Sequence, residues 1–119
     1  MSLFRIADSV YVGVTDPTAA SAWYIEKLGL RQVMPTDEGE GCISLGFSNK
    51  ETSPIILGPR EVATDAATPM LYTANVETAR EHLISRGANV GPIEQDRQGT
   101  RFFLLRDVEG NAIEVTEEP

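Results

Sequence analysis

The 119-residue sequence contains one cysteine, one histidine and no long apolar run. A single cysteine, Cys42, excludes an internal disulfide and a thiolate cluster for zinc or iron, so we expect it to be a small buried hydrophobic residue. No apolar run approaches the roughly 20 residues that cross a bilayer, and Met1–Arg5 lacks the apolar core of a secretory signal. These absences predict one soluble domain, residues 1–119, with a cytoplasmic location.

Basic residues are also scarce, with 10 Lys and Arg against 18 Asp and Glu and a net charge of −8. A negative field repels phosphate backbones and anionic lipid surfaces, so we expect neither a nucleic-acid nor a membrane partner. The same field favours cationic ligands, although acidic surfaces also serve solubility. Hydrophobic residues at 41% and charged residues at 24% are typical of a globular protein with its own core.

The first half of the chain predicts the element order βαβββ, over about residues 5–58. Asp8–Thr15 alternates like a half-buried strand, Asp16-Pro17 resembles a helix start, and Gly29 suits a helix end. Between them, apolar residues recur at helical spacing: Ala20, Trp23, Tyr24 and Leu28. Three further strands are predicted at residues 31–34, 41–47 and 54–57.

The second half repeats this order over about residues 69–117, after a predicted linker at about 59–68. A strand at 69–74 leads to Asn75 as helix cap, then to a helix that ends at Gly87 and buries Val76, Ala79 and Leu83. Strands follow at 89–93, 101–106 and 112–116, with a polar loop at 94–100. The two caps, Asp16 and Asn75, are 75 − 16 = 59 residues apart, which indicates an internal duplication.

Three segments give the sequence a family resemblance. They are Val12–Asp16 leading to Trp23–Gly29, then Val76–Gly87, and finally Phe102–Glu114 with its pattern Asp-x-x-Gly-Asn-x-Ile-Glu. In these segments the chain resembles the vicinal-oxygen-chelate superfamily, which includes glyoxalase I, extradiol dioxygenases, and fosfomycin- and bleomycin-resistance proteins. The resemblance implies an α+β fold in which two tandem βαβββ modules form a curved mixed sheet around a cleft, with the helices on the outer face. It also implies a homodimer.

The resemblance places metal ligands at four positions of this sequence, and three of them carry unsuitable side chains. The positions fall on Ser9, Ile56, Thr68 and Glu114, so one carboxylate remains where a divalent transition metal needs at least three protein ligands. We therefore predict no metal and no other cofactor. The single histidine, His82, is expected to be a surface or packing residue; as a metal ligand or general base it would have to reach the cleft.

Strand alternation then predicts which side chains face the cleft and which face the helices. The helix side would be wholly apolar: Val10, Val12, Ile55, Leu57, Leu71, Phe103, Leu105, Ile113 and Val115. The predicted ligand-binding set on the cleft side is Ser9, Tyr11, Ile56, Thr68, Met70, Tyr72, Phe102, Leu104 and Glu114. Glu114 is the best candidate for a catalytic role. Alternatively, these residues fill a closed core and Glu114 pairs with Arg101 or Arg106.

Three functions are compatible with such a cleft. The leading hypothesis is a metal-independent protein of the bleomycin-resistance type that binds or sequesters a small, partly apolar and cationic molecule. The second is a lyase, isomerase or dioxygenase of the same superfamily, with or without metal, so whether the chain is an enzyme stays open. The third is an accessory module that uses the fold as a dimerising scaffold.

Overall fold

A computed structural model describes residues 3–33, 41–47, 54–60 and 68–118. Within these ranges the elements follow the predicted order, with two short strands added. They are β1 (Arg5–Ile6), β2 (Val10–Val14), α1 (Pro17–Leu28), β3 (Arg31–Gln32), β4 (Ile43–Gly46), β5 (Ile55–Pro59), β6 (Met70–Thr73), α2 (Val76–Ser85), β7 (Asn89–Val90), β8 (Glu94–Gln95), β9 (Arg101–Arg106) and β10 (Ala112–Glu117).

The described strands form two mixed sheets with the same internal order. The first sheet runs β2-β5-β4-β3; the second contains β6-β10-β9-β7, with β1 added beside β6 and β8 beside β9. In each sheet the strand before the helix pairs in parallel with the last strand of that half, and the other pairs are antiparallel. The predicted α+β fold is confirmed. The bounds of the two modules stay a prediction, and residues 61–67 of the linker lie outside the described residues.

Both helices begin and end where the sequence predicts. Asp16 and Asn75 accept hydrogen bonds from the backbone N–H of Ala19 (3.1 Å) and Thr78 (3.0 Å), and so satisfy one free donor in each first turn. Gly29 closes α1 with a left-handed φ of 76°, a conformation that costs glycine little. At the end of α2, Arg86 is the capping residue and Gly87, at φ 78°, takes the left-handed conformation after it.

Several strand predictions are wrong in detail. The pairs Arg5–Ile6 and Glu94–Gln95 form strands that the sequence did not predict, the second inside a predicted polar loop. Both depend on distant partners, since β1 pairs with β6 and β8 pairs with β9. The strands predicted at 41–47 and 89–93 are shorter, at 43–46 and 89–90. The strand predicted at 31–34 is also shorter, at 31–32, and residue 34 lies outside the described residues.

The hydrophobic core lies between the sheets and the two helices. Eight of the nine residues predicted on the helix side are buried, and Val10 is partly buried against them. From the helices, Ala20, Tyr24, Val76, Ala79 and Leu83 contribute fully buried side chains, whereas Trp23 is only partly buried. One hydrophobic cluster includes residues from both halves. Neither described helix has the length and apolar character needed to cross a membrane.

Candidate functional site

The turn between β9 and β10 joins the two halves of the chain through Asp107. This carboxylate is 5% exposed and accepts a 2.7 Å hydrogen bond from the hydroxyl of Tyr24 on α1. It also accepts hydrogen bonds from the backbone N–H groups of Glu109 (2.8 Å) and Asn111 (2.9 Å), which hold the turn in shape. Burial and the adjacent Asp107 carboxylate both raise the pKa of the Tyr24 hydroxyl, so it stays a donor at neutral pH.

Glu109, in the same turn, binds the start of α1. Its carboxylate accepts from the backbone N–H groups of Thr15 (2.7 Å) and Asp16 (3.0 Å) and forms a 3.1 Å ion pair with Arg60. Burial acts to raise the pKa of Glu109, but these amide and guanidinium contacts outweigh it and lower the pKa to about 2. Asn111 adds a 3.3 Å hydrogen bond to the Gly13 carbonyl oxygen. The turn therefore sets the position of β10 relative to the first half.

Five of the predicted ligand-binding residues share one face of the second sheet. The strand register places Glu114 between Met70 and Leu104, and the next residue on the same face, Thr116, between Tyr72 and Phe102. Met70 is 36% exposed, and the other four predicted residues are partly exposed. We call these residues the open face: Met70, Tyr72, Phe102, Leu104 and Glu114. The face combines apolar and aromatic side chains with one carboxylate.

Glu114 does not form the ion pair that one interpretation of the sequence required. Arg101 instead pairs with Glu117 and with Glu77, both at 2.9 Å, and lowers the pKa of Glu117. Arg106 donates to the Gly110 carbonyl oxygen at 3.3 Å. The alternative that pairs Glu114 with Arg101 or Arg106 is therefore wrong.

One oxygen of Glu114 accepts a 2.7 Å hydrogen bond from the hydroxyl of Thr116. Among the residues that the structure describes, no cation pairs with this carboxylate. A cation does lie at the edge of the open face, because the Arg5 guanidinium stands 4.6 Å from the ring centre of Tyr72. Arg5 also pairs with Glu118 at 3.2 Å. Within the described ranges, no donor other than the Thr116 hydroxyl bonds to the Glu114 carboxylate.

The cleft side of the first sheet is more closed. Tyr11 and Ile56 are paired in register, and Ile56 is 8% exposed. The Tyr11 hydroxyl donates to the Pro59 carbonyl oxygen at 3.1 Å. The Tyr11 side chain also lies against Gly58, where an added Cβ would stand 2.3 Å from the Tyr11 hydroxyl oxygen. Ser44 pairs with Ile56 from the other side and is 3% exposed. We call this surface, formed by Tyr11, Ile56 and Ser44, the closed face.

The remaining predicted site residues lie outside the strands. Ser9 is exposed just before β2 and donates to the Pro54 carbonyl oxygen at 3.2 Å. Thr68 is exposed just before β6. Cys42 is partly exposed rather than buried, so the expectation of a fully buried residue is wrong. His82 lies on α2 near the end of α1, on the helix side of the sheets, in line with a surface or packing role.

The family model described as Glyoxalase/Bleomycin resistance protein/Dioxygenase superfamily matches residues 6–115. The chain belongs to this superfamily. No relative among curated proteins matches it.

Solved structures of superfamily proteins share the fold. A superfamily member from Sphaerobacter thermophilus superposes with a TM-score of 0.75, at 21% identity over 94% of this chain and 97% of that one. A lactoylglutathione lyase from Agrobacterium tumefaciens superposes with a TM-score of 0.70, at 19% identity over 93% of this chain and 92% of that one. An antibiotic binding protein from a Streptomyces species superposes with a TM-score of 0.70, at 18% identity over 95% of this chain and 96% of that one. At these identities the likeness establishes the fold alone.

The side chains at the four positions that the resemblance assigns to metal ligands do not fit a divalent transition metal. The Ser9 hydroxyl donates a hydrogen bond to a backbone carbonyl oxygen, and Ile56 has a hydrocarbon side chain. Glu114 is the one carboxylate among the four positions. Zinc and similar ions require at least three nitrogen, sulfur or carboxylate ligands from the protein. In the described ranges, no group of three or more His, Cys, Asp or Glu side chains could hold a metal ion. Binding without a metal stays a prediction.

The sequence patterns did not reveal the inter-module role of the β9–β10 turn. The Asp-x-x-Gly-Asn motif contributed to the family resemblance, but nothing in it identifies Tyr24 or the start of α1 as its partners. Tyr24 and Asp107 are 83 residues apart in sequence. The spacing of Tyr24 in α1 predicted a core residue, and only the position of its hydroxyl reveals the second role.

Proposed function

We propose that this superfamily member binds a small, partly apolar cation on the open face, and that Glu114 supplies the counter-charge without a bound metal. The observation that supports this most directly is a partly buried carboxylate whose partner, among the described residues, is a neutral hydroxyl. Loss of water around a carboxylate is costly unless a cation or several hydrogen-bond donors replace it. A ligand cation is the simplest replacement.

The neighbours of Glu114 support the apolar part of the ligand. Met70 and Leu104 flank the carboxylate, and Phe102 and Tyr72 follow on the same face. Thioether and aromatic groups adapt to apolar ligands, and aromatic faces attract cations. The stacking of Arg5 on Tyr72 is an internal example of such a contact. We infer an aromatic or aliphatic amine, or a quaternary ammonium compound, as the ligand class.

Sequestration is the biological role that we propose for this binding. The chain shares its fold with an antibiotic binding protein, and the open face provides no second acid, histidine or cysteine for acid–base chemistry within its five residues. We further propose that two copies associate through sheet edges such as the exposed edge strand β3, because unpaired edge strands readily pair with another chain.

Thermal-shift measurements test the ligand class. Benzyltrimethylammonium and phenethylammonium should stabilise the protein, whereas the neutral phenylacetamide should not. The variant Glu114→Gln keeps the size of the side chain and removes its charge, so it should lose the stabilisation. Glu81→Gln, at an exposed position on α2, is the matched control and should keep it. Equal stabilisation of the Glu114→Gln variant, or no stabilisation by any cation, would contradict the proposal.

A further inference from the structure

A second concave surface lies on the helix side of the molecule, away from the open face. This hollow has a volume of about 370 Å³ and lies between the N-terminal segment, the end of α1 and the last turn of α2. Its walls include Leu3, Phe4, Ile25, Leu28, His82 and Arg86. We propose that the hollow binds a small organic carboxylate with an apolar body, and that Arg86 holds the carboxylate group.

The hollow is large enough for a small ligand, and its lining combines apolar with polar side chains. Pockets for small molecules start at about 300 Å³ and are mainly lined by hydrophobic side chains. Phe4 and Leu28 are 4% and 3% exposed and form a fixed inner wall. Ile25, at the rim, is 42% exposed. A ring or branched chain that covers Ile25 would remove apolar surface from water at this point.

Arg86 provides the charged end of the hollow. One terminal nitrogen of its guanidinium, Nη1, donates to the carbonyl oxygen of Glu26 at 3.2 Å. No carboxylate of the described chain pairs with Arg86. A carbonyl oxygen carries only a partial charge, so the full positive charge of Arg86 is not neutralised. The other edge of the guanidinium has two parallel N–H donors, a geometry that matches a carboxylate.

The charges around the hollow favour an anion over a cation. Two helix ends meet here, and the partial negative charge of their carbonyl groups would by itself attract a cation. Two side chains of the protein already supply this positive charge at the helix ends. Lys27 donates to the Arg86 carbonyl oxygen, and Arg86 donates to the Glu26 carbonyl oxygen. With Glu26 at −1 and Lys27 and Arg86 at +1 each, the local sum is +1. Charges beyond about 8 Å are largely screened at physiological ionic strength.

Amide chemical-shift mapping tests the proposal on the intact chain with phenylacetate and 3-phenylpropanoate as probes. Millimolar probe should shift the amides of residues 3–4, 25–29 and 82–87, and phenylacetamide and acetate should shift them far less. Arg86→Gln should weaken binding about tenfold or more, the usual effect of losing a charge-assisted pair. Arg97→Gln, at an exposed loop position, is the matched charge control and should bind normally. Glu114→Gln should also bind normally, which separates this site from the open face.

The proposal would be overturned by an absence of shifts with millimolar probe, by equal shifts with phenylacetamide, or by unchanged affinity in Arg86→Gln. Shifts confined to the open face would also contradict it. Arg86 links the two helix ends, so the spectrum of the unliganded variant must keep its dispersion. If Arg86→Gln does not fold, the affinity of Arg86→Lys for the probe tests the proposal instead. This variant keeps the positive charge and removes the paired N–H donors. Its affinity should fall, and an unchanged value would reject the carboxylate geometry.

Discussion

The open face and the closed face are equivalent surfaces of two sheets with the same strand order, yet their exposure differs. On the closed face, Ile56 and Ser44 are 8% and 3% exposed and Tyr11 is partly exposed. All five residues of the open face are at least partly exposed, with Met70 at 36%, although Thr116 beside them is 8% exposed. On the helix sides of both sheets, all of the predicted residues except the partly buried Val10 are buried. The core sides of the two sheets are therefore alike, and their cleft sides differ. This difference supports the proposal that the ligand binds on the second sheet.

The largest difference in the free energy of unfolding is expected between alanine variants of two neighbouring residues on β9. Phe103 is fully buried on the helix side, and Phe102 is partly exposed on the open face. Phe103→Ala should lower the free energy of unfolding by about 3–5 kcal/mol because it leaves a cavity, and Phe102→Ala should lower it by about 1 kcal/mol. Urea unfolding measures both. Equal losses would show that the open face is as tightly packed as the core.

A second contrast compares the two cleft-side surfaces. Ile56→Ala, on the closed face, should cost about 2–4 kcal/mol, and Leu104→Ala, on the open face, about 1 kcal/mol or less. The unfolding measurements should be repeated at two protein concentrations. A cost for Leu104→Ala that grows with concentration would indicate that a second copy covers the open face. A small cost at every concentration would favour a face left free for a ligand.

Glu109 holds the two sheets in their relative positions and should make stability depend on pH. Its folded pKa of about 2 lies below the ordinary value of 4.5, so the native state favours the charged form. The resulting stabilisation is complete above pH 4.5 and is lost as the pH falls toward 2. Glu109→Gln should lower the free energy of unfolding by about 1–3 kcal/mol at neutral pH. Denaturant unfolding at several pH values should show a shallower acid dependence in this variant than in Glu81→Gln.

The smallest effect is expected at Ser44. In the described part of the chain its buried hydroxyl has no hydrogen-bond partner, in contrast to the Tyr24 hydroxyl, which donates to Asp107. Ser44→Ala should therefore change the free energy of unfolding by less than about 1 kcal/mol, and Tyr24→Phe should cost about 1–2 kcal/mol. Thermal or urea unfolding can compare the two. A larger cost for Ser44→Ala would reveal a partner on the closed face.

Local patterns in the sequence predicted most of the fold. The caps at Asp16 and Asn75, the left-handed Gly29 and the alternation of β9 and β10 depend on neighbours in sequence, and the structure confirms them. Contacts between distant segments were not predictable in this way. Strand β1 exists because Arg5–Ile6 meets β6, and Glu109 reaches a helix start 93 residues away.

The candidate site was only partly accessible from the sequence for the same reason. Alternation placed Met70, Leu104 and Glu114 on one face, as the register shows. It could not show whether Glu114 meets an arginine, because that depends on where Glu77 and Glu117 hold Arg101. Nor could it distinguish the open face from the closed face, since exposure depends on what packs above each sheet.

In the proposed site a carboxylate, and not a metal, binds the ligand. Isothermal titration of the best-binding ammonium probe, before and after exhaustive chelation, tests it directly. We predict the same affinity in both preparations and at least a roughly tenfold loss in Glu114→Gln, the effect of removing one charge-assisted contact. Binding that disappears on chelation and returns with Zn²⁺, Ni²⁺, Fe²⁺ or Mn²⁺ would contradict the account and favour a metal-dependent lyase, isomerase or dioxygenase.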